Sequence, residues 1–288
     1  MRRNKRSRES FVADQRWCKR DCGRRPAAAI GRGAQVLLAF DIGNTNIVAG
    51  CFKGEELLFE VRLKTDAGRT LDEYAALLAV RFQDRLGSRP EFRSCIISSV
   101  VPPVTPDIVR YVKEALQLDP LLVGPGIKTG IAIRINDPST LGSDRIVNAV
   151  SAKKYYGHPC VVIDFGTATS FDVLGGSGDY EGGIIAPGVN VALDSLVKNT
   201  AKLPRIELAW PKTIIGKGTV HAMQSGSVAG YVCMVDGLVD LIAQELGELK
   251  SVVATGGLGR LMASHSKRIN QYDPHLTLKG LQILAEIN

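Results

Sequence analysis

The chain writes one short pattern twice. Leu37-Leu-Ala-Phe-Asp-Ile-Gly-Asn-Thr-Asn46 is answered by Val161-Val-Ile-Asp-Phe-Gly-Thr-Ala-Thr-Ser170. Each is an apolar run ending in Asp, one apolar residue, Gly, and then hydroxyl or amide side chains. The run reads as a buried strand, and the glycine as a turn where the backbone passes something closely. A carboxylate at the end of such a strand, beside backbone N–H groups and small hydroxyls, can hold a cation next to a phosphate. One strand ending in Asp-x-Gly is most often an ordinary turn. Two of them, in lobes of similar size, predict a duplicated α/β fold that handles phosphate.

Length and charge narrow the field. With 288 residues, 45% of them hydrophobic, the chain can bury one large core or two lobes sharing a cleft. No uninterrupted apolar run approaches the roughly 20 residues of a membrane span. The formal charge of +7 is concentrated in residues 1–35, where eleven Lys or Arg face three Asp or Glu. Residues 36–288 are therefore near neutral, and neither nucleic acid nor membrane is an expected partner. Residues 1–35 lack the apolar centre of a secretory signal and read as a disordered basic extension. A basic arm or a transit-like leader is the alternative, although Glu9, Asp14 and Asp21 fit a leader poorly. Cys18 and Cys22 lie there without a second pair at zinc spacing. Cys51, Cys95, Cys160 and Cys233 stand singly in apolar contexts, as small core residues of a cytoplasmic protein do.

Strands and helices alternate along residues 36–288. Val48–Phe52 and Leu57–Lys64 read as strands around a turn at Gly54, and Thr70-Leu-Asp-Glu73 as a capping box opening a helix. Cys95–Val101 is a further strand, and Thr105-Pro106 opens a helix with Thr as N-cap. A long amphipathic helix is expected from about Ser227 to Leu246, stopped by Gly247, before the strand and turn of Ser251–Gly257.

Residues 41–48, 164–170 and 255–257 resemble the first-phosphate, second-phosphate and adenosine segments of the actin/hexokinase-like (ribonuclease H-like) fold. The narrower resemblance lies between them. Asp137-Pro-Ser-Thr-Leu-Gly-Ser-Asp-Arg-Ile-Val-Asn-Ala-Val150 is similar to the Gly-x-Asp-Arg segment of type III pantothenate kinases. Ser98–Pro102, Gly182–Gly188, Lys202–Pro204, Gly216–Thr219, Met223–Gly226 and Ala254–Gly257 resemble further blocks of that family, in family order. The set covers essentially all of 36–288. It implies two similar lobes around a cleft, 36–150 and 151–288, and ATP-dependent phosphorylation of pantothenate in the first step of coenzyme A synthesis. It also implies magnesium, a potassium or ammonium ion, and a homodimer.

Carried over residue by residue, the resemblance places ATP along Asp41, Ile42, Gly43, Asn44, Thr45, Asn46, Ile47 and Val48, with Thr167 touching it. Asp41 faces magnesium directly or through water, and Asp164 belongs to the potassium site. Gly142, Ser143, Asp144, Arg145 and Thr219 line the pantothenate site, with Asp144 as proton acceptor. Two positions depart from the pattern. Ile135 stands where the family often has a substrate-contacting tyrosine, and Ser143 where alanine is commoner.

The chemistry suits these residues. Phosphoryl transfer needs charge neutralisation and alignment more than covalent help. Asp144, at the expected start of a helix, is held ionised by the helix N-terminus and accepts a proton late. Arg145 suits an anion, either the substrate carboxylate or the moving phosphoryl. Lys217 reads as a solvated loop lysine, and of the histidines only His221 lies near a site residue in sequence. The competing readings are another small-molecule kinase or phosphatase of the same superfamily, and an inactive nucleotide-binding regulator. Val36, five residues before Asp41, falls where the family's initiator methionine normally stands, so residues 1–35 are expected to be dispensable.

Overall fold

The computed structural model describes residues 36–86 and 92–288. The expectation for residues 1–35, with Cys18 and Cys22, lies outside the described residues. Two five-stranded sheets carry the chain. The first contains β1 (Val36–Ile42), β2 (Asn46–Lys53), β3 (Glu56–Lys64), β4 (Ser94–Ser99) and β5 (Leu121–Leu122), in the order β3-β2-β1-β4-β5. The second contains β6 (Cys160–Phe165), β7 (Ala168–Leu174), β8 (Tyr180–Pro187), β9 (Ser251–Thr255) and β10 (Gln271–Tyr272), in the order β10-β9-β6-β7-β8. Both sheets have three antiparallel strands followed by a parallel continuation, β1 to β4 and β6 to β9. The repeat read from two ten-residue segments is thus a repeat of whole sheets.

Strand parity decides which side chains face the cleft. Alternate residues of a strand point to opposite faces. In β1, Leu38, Phe40 and Ile42 join the outer core with Tyr74, Leu78 and Phe82 of α1 (Leu71–Leu86) and Ile108 of α2 (Thr105–Leu116). Ala39 faces the other way, and Asp41 shares its parity. In β6, Val161, Ile163 and Phe165 pack on the outside, while Cys160 and Val162 face inward and Asp164 follows them.

Between the sheets run α3 (Ser143–Tyr156) and the C-terminal α8 (Leu276–Ile287). Ile146, Val147 and Val150 of α3 pack on the first sheet, while Ala149 and Ala152 pack on the second. Residue 150, the expected boundary between lobes, therefore falls inside a helix that both sheets share. The two helices touch at Gly280, where a Cβ would stand 2.2 Å from the Val147 carbonyl oxygen.

Local signals mostly gave the element ends. The Thr70 N–H donates to Glu73 Oε2 at 2.7 Å, and the Thr70 hydroxyl accepts from the Glu73 N–H at 3.4 Å, closing the capping box. Gly54 turns the β2–β3 hairpin at φ +58°. Val104, not Thr105, caps α2, because the Thr105 hydroxyl donates back to the Val101 carbonyl. The long helix begins earlier than expected. It runs as α5 (Thr219–Gln224), a π-turn over Ser225–Ala229, and α6 (Gly230–Leu246), with α4 (Val189–Lys198) alongside the π-turn. By length and composition alone, Thr219–Leu246 is apolar enough to cross a membrane, and a third of its most apolar window is buried inside the chain. Ser, Gly and Asp punctuate it, so it holds no long uninterrupted apolar run. Cys51, Cys95 and Cys160 are buried as expected, but Cys233 is exposed on α6.

Candidate active site

Each Asp-bearing strand ends in a tight turn. The Gly43 N–H donates to the Asn46 carbonyl at 3.0 Å, and the Gly166 N–H to the Ala168 carbonyl at 3.0 Å. The turns meet across the cleft, where the hydroxyls of Thr45 and Thr167 lie 2.7 Å apart. Asn44, Thr45 and Thr167 are exposed there. Ile42, Ile47 and Val48 are buried in the cores, so only their main chain faces the turn. The third motif turns at Gly256, φ +82°, after β9. A Cβ on Gly256 would stand 2.4 Å from Asp164 Oδ1 and 2.8 Å from the backbone of Phe165. Only glycine fits between the third motif and the second carboxylate.

The remaining acid comes from the start of α3, with Gly142 as N-cap. Asp144 folds back so that Oδ1 accepts from the Arg145 N–H at 2.8 Å, and a Cβ on Gly142 would stand 2.5 Å from that oxygen. Ser143 pins this end of the helix to β4. Its hydroxyl lies 2.8 Å from that of Ser98 and accepts from the Ser99 N–H at 3.1 Å. The hydroxyl that separates Ser143 from the commoner alanine is therefore structural.

These carboxylates share one field. Burial pushes Asp41 up to about 8, and the charges of Asp144 and Asp164 add to the shift. Asp164 is pushed up to about 7 by burial, then by Asp144 and Asp172, against a hydrogen bond from Asn148. Asp144 is raised as well, because burial outweighs the Arg145 N–H and guanidinium. This corrects the expectation that the helix N-terminus dominates there, and it makes Asp144 a stronger base than an ordinary carboxylate. Oxygen donors that repel one another suit hard cations. Among the described residues no three His, Cys, Asp or Glu are grouped tightly enough to hold a metal by themselves. A shell completed by phosphate oxygens and water is the usual one for magnesium.

Two partners escaped the sequence reading. Asp172, fully buried on β7, accepts from Arg145 Nε at 2.6 Å and from the Tyr180 hydroxyl at 2.9 Å. A lone charge inside the apolar run Phe171–Leu174 was the available signal. Asn148, one helical turn after Asp144, donates to Asp164 Oδ2 at 3.5 Å and accepts from the Thr277 hydroxyl at 2.8 Å. The spacing of four from Asp144 marks a shared helix face.

Other expected residues lie apart. Thr219 heads α5 and lines a groove with Trp210, Lys212, Val220, His221 and Gln224, and none of the four aspartates lines it. The His221 ring is engaged with the Thr213 carbonyl at 2.7 Å. Ile135 packs against the buried cluster that contains Tyr180 and Ala149.

A family model described as type III pantothenate kinase matches residues 37–241. A type III pantothenate kinase from Myxococcus xanthus is 46% identical over 249 residues, spanning 86% of this chain and 97% of the relative. One from Exiguobacterium sibiricum is 46% identical over 253 residues, spanning 88% of this chain and 100% of the relative. Among solved structures, the ethanolamine utilization protein EutJ from Carboxydothermus hydrogenoformans superposes with a TM-score of 0.54 at 13% identity, covering 90% of this chain and 92% of that one. That likeness is one of fold.

Proposed function

The chain belongs to the type III pantothenate kinase family, and from that premise we propose how its residues share the transfer of a phosphoryl group from ATP to pantothenate, the opening step of coenzyme A synthesis. The observation that carries the reading is the convergence of Asp41, Asp144 and Asp164 in one field, where burial, joined at Asp41 and Asp164 by the charge of Asp144, raises their pKa values.

ATP lies along the Asp41–Val48 turn and against Thr167. A Cβ on Gly43 would meet only the Asn46 carbonyl at 3.3 Å, and one on Gly166 nothing closer than 3.5 Å. Packing alone barely requires either glycine, whereas close approach by phosphate does. Asp144 orients the primary hydroxyl of pantothenate. That oxygen bonds to the γ-phosphorus as the bond to ADP breaks, and its proton passes to the Asp144 carboxylate. Asp41 would hold magnesium, directly or through water, and Asp164 a potassium or ammonium ion, and such cations would supply neutralisation of phosphate charge. Arg145 meets the pantothenate carboxylate. Gly142 and Ser143 line the same substrate, with Ile135 supplying an apolar wall where the family often has a tyrosine, while Thr219 stays in its own groove apart from the aspartates.

The functional unit is a homodimer in a cytoplasmic setting. Ile185 of β8, Val191 and Leu196 of α4, Ile215, Val220 of α5 and Leu241 of α6 are all exposed, and the Tyr231 hydroxyl bonds the Pro187 carbonyl between α6 and β8. A second copy would cover this apolar surface.

The test is ADP release with and without pantothenate, in potassium and in sodium. Release that requires pantothenate and potassium supports the reading. Asp144→Asn should lower turnover by about 10² or more, the scale of a positioned acid or base, with ATP affinity little changed. Turnover near that of the unaltered enzyme would send the proton by another route. Release with acetate or a sugar instead would favour another kinase of the superfamily.

A further inference from the structure

Arg145 is not a loose cation at the mouth of the cleft. Its side chain is 17% exposed and the carboxylate it binds is 0% exposed. Besides the Nε bond to Asp172, Nη2 donates to the Phe171 carbonyl at 3.4 Å, and the guanidinium lies 5.9 Å from the Tyr180 ring centroid. Gly183, paired with Asp172 across β7 and β8, leaves the space for it. A Cβ at Gly183 would stand 2.3 Å from Nη2 and 2.1 Å from the Phe171 carbonyl oxygen.

This niche is poorly arranged for stability. Asp172 gives up all hydration, and its Oδ2 has no partner among the described residues. A buried ion pair of this kind is often no better for folding than apolar residues of the same volume. What it does achieve is to fix a planar fork. Guanidinium has five N–H donors, and the Nη1 edge meets no protein acceptor among the described residues.

We propose that Asp172, braced by Tyr180, is a positioning residue for substrate recognition, clamping Arg145 so that its open edge meets the pantothenate carboxylate. The proposal rests on the reading of Arg145 given above. Position supports the carboxylate over the moving phosphoryl. Asp172 lies four residues along β7 from Ala168 at the second phosphate turn, about 13 Å at the usual rise of a strand. Arg145 also holds Asp144 through its main-chain N–H. One residue thus ties the proton acceptor to the anion reader and sets the span between the reacting hydroxyl and the far carboxylate.

The experiment compares pantothenate with pantothenol, a neutral analogue that keeps the reacting hydroxyl and lacks the carboxylate. kcat and KM are measured for both substrates with the unaltered enzyme, Arg145→Met, Asp172→Asn and Tyr180→Phe. Asp172→Asn should raise the pantothenate KM roughly tenfold or more, the scale of one charge-assisted hydrogen bond. Its kcat and its pantothenol KM should stay close to those of the unaltered enzyme. Tyr180→Phe should show the same selectivity at smaller size, and it decides the matter if Asp172→Asn does not fold. If Arg145→Met discriminates between the substrates while Asp172→Asn and Tyr180→Phe do not, the clamp is wrong and Arg145 acts alone. If Arg145→Met affects both substrates equally, the carboxylate reading falls, and the clamp with it.

Discussion

The two phosphate turns have the same strand pattern behind them but are held in place differently. The second is braced by backbone from two sides and by a helix from a third. Gly188 donates its N–H to the Thr167 carbonyl at 3.0 Å, and a Cβ there would overlap that oxygen at 2.2 Å. Gly256 abuts Asp164 and the Phe165 backbone, and Asn148 reaches Asp164 from α3. Past its strand end, where the Val100 N–H meets the Ile42 carbonyl at 3.1 Å, the first turn leans within its own lobe chiefly on Thr65. The Thr65 hydroxyl donates to the Gly43 carbonyl at 2.6 Å, and the Thr65 N–H to the Thr45 carbonyl at 3.0 Å. The two halves share the strand, the carboxylate and the turn, while their supports differ, leaving one half fixed and the other adjustable.

The sharpest way to break this comparison is to add one methyl group to each half. Gly256→Ala forces an L-residue to φ +82° and drives its Cβ against main chain that cannot move aside. Left-handed strain of about 1–2 kcal/mol adds to overpacking of about 1–3 kcal/mol. At about 2–4 °C per kcal/mol for a chain of this size, thermal unfolding should show a loss of roughly 4–20 °C. Potassium activation should disappear with it. Gly43→Ala should leave the melting temperature nearly unchanged and raise the KM for ATP instead. Equal destabilisation by the two substitutions would mean that the first turn is as tightly packed as the second.

Protons provide the next test. Asp41 and Asp164 titrate near 8 and 7 in the folded protein, against an ordinary value of 3.8. Between those limits the folded state holds protons that the unfolded chain has released, so stability falls as pH rises. Without added magnesium or potassium, the melting temperature should decline from about pH 6 to pH 8.5, and both cations should flatten the decline. Asn148→Ala removes the bond that lowers Asp164, so its titration should move up toward that of Asp41. Carboxyl NMR resolves the two. A downward shift would mean that Asn148 serves α8 through Thr277 and does not act on the cation site.

The duplicated sheets, the two turns and the order of motifs were legible because they depend on local pattern: apolar runs, Asp-x-Gly, capping boxes. The start of α3 was legible for the same reason, through Gly142 and Asp144. What escaped was set by contacts distant in sequence. Asp172 reads as an odd charge in a strand until β8 brings Tyr180 beside it. Asn148 reads as a polar interruption until Asp164 and Thr277 converge on it from two other elements. The field around Asp144 was misjudged because the helix N-terminus is visible in sequence, whereas burial between two sheets is not.

The smallest effect expected comes from the Thr65 brace of the first turn. Thr65→Val keeps the branched shape and the N–H bond to Thr45 but removes the hydroxyl that meets the Gly43 carbonyl. Thr65 and Gly43 are both only half-buried, so water can partly replace the lost donor. The cost should be about 0.5–1.5 kcal/mol, the net worth of an ordinary hydrogen bond. A turn loosened by that amount should raise the KM for ATP a few-fold, roughly the factor that energy represents in an equilibrium. On the proposed reading the KM for pantothenate and the potassium response depend on α3 and the second turn, and both should hold. If either moves as much as the KM for ATP, the Thr45–Thr167 contact transmits strain between the halves. The two turns then act as one unit, and the contrast between a fixed and an adjustable half fails.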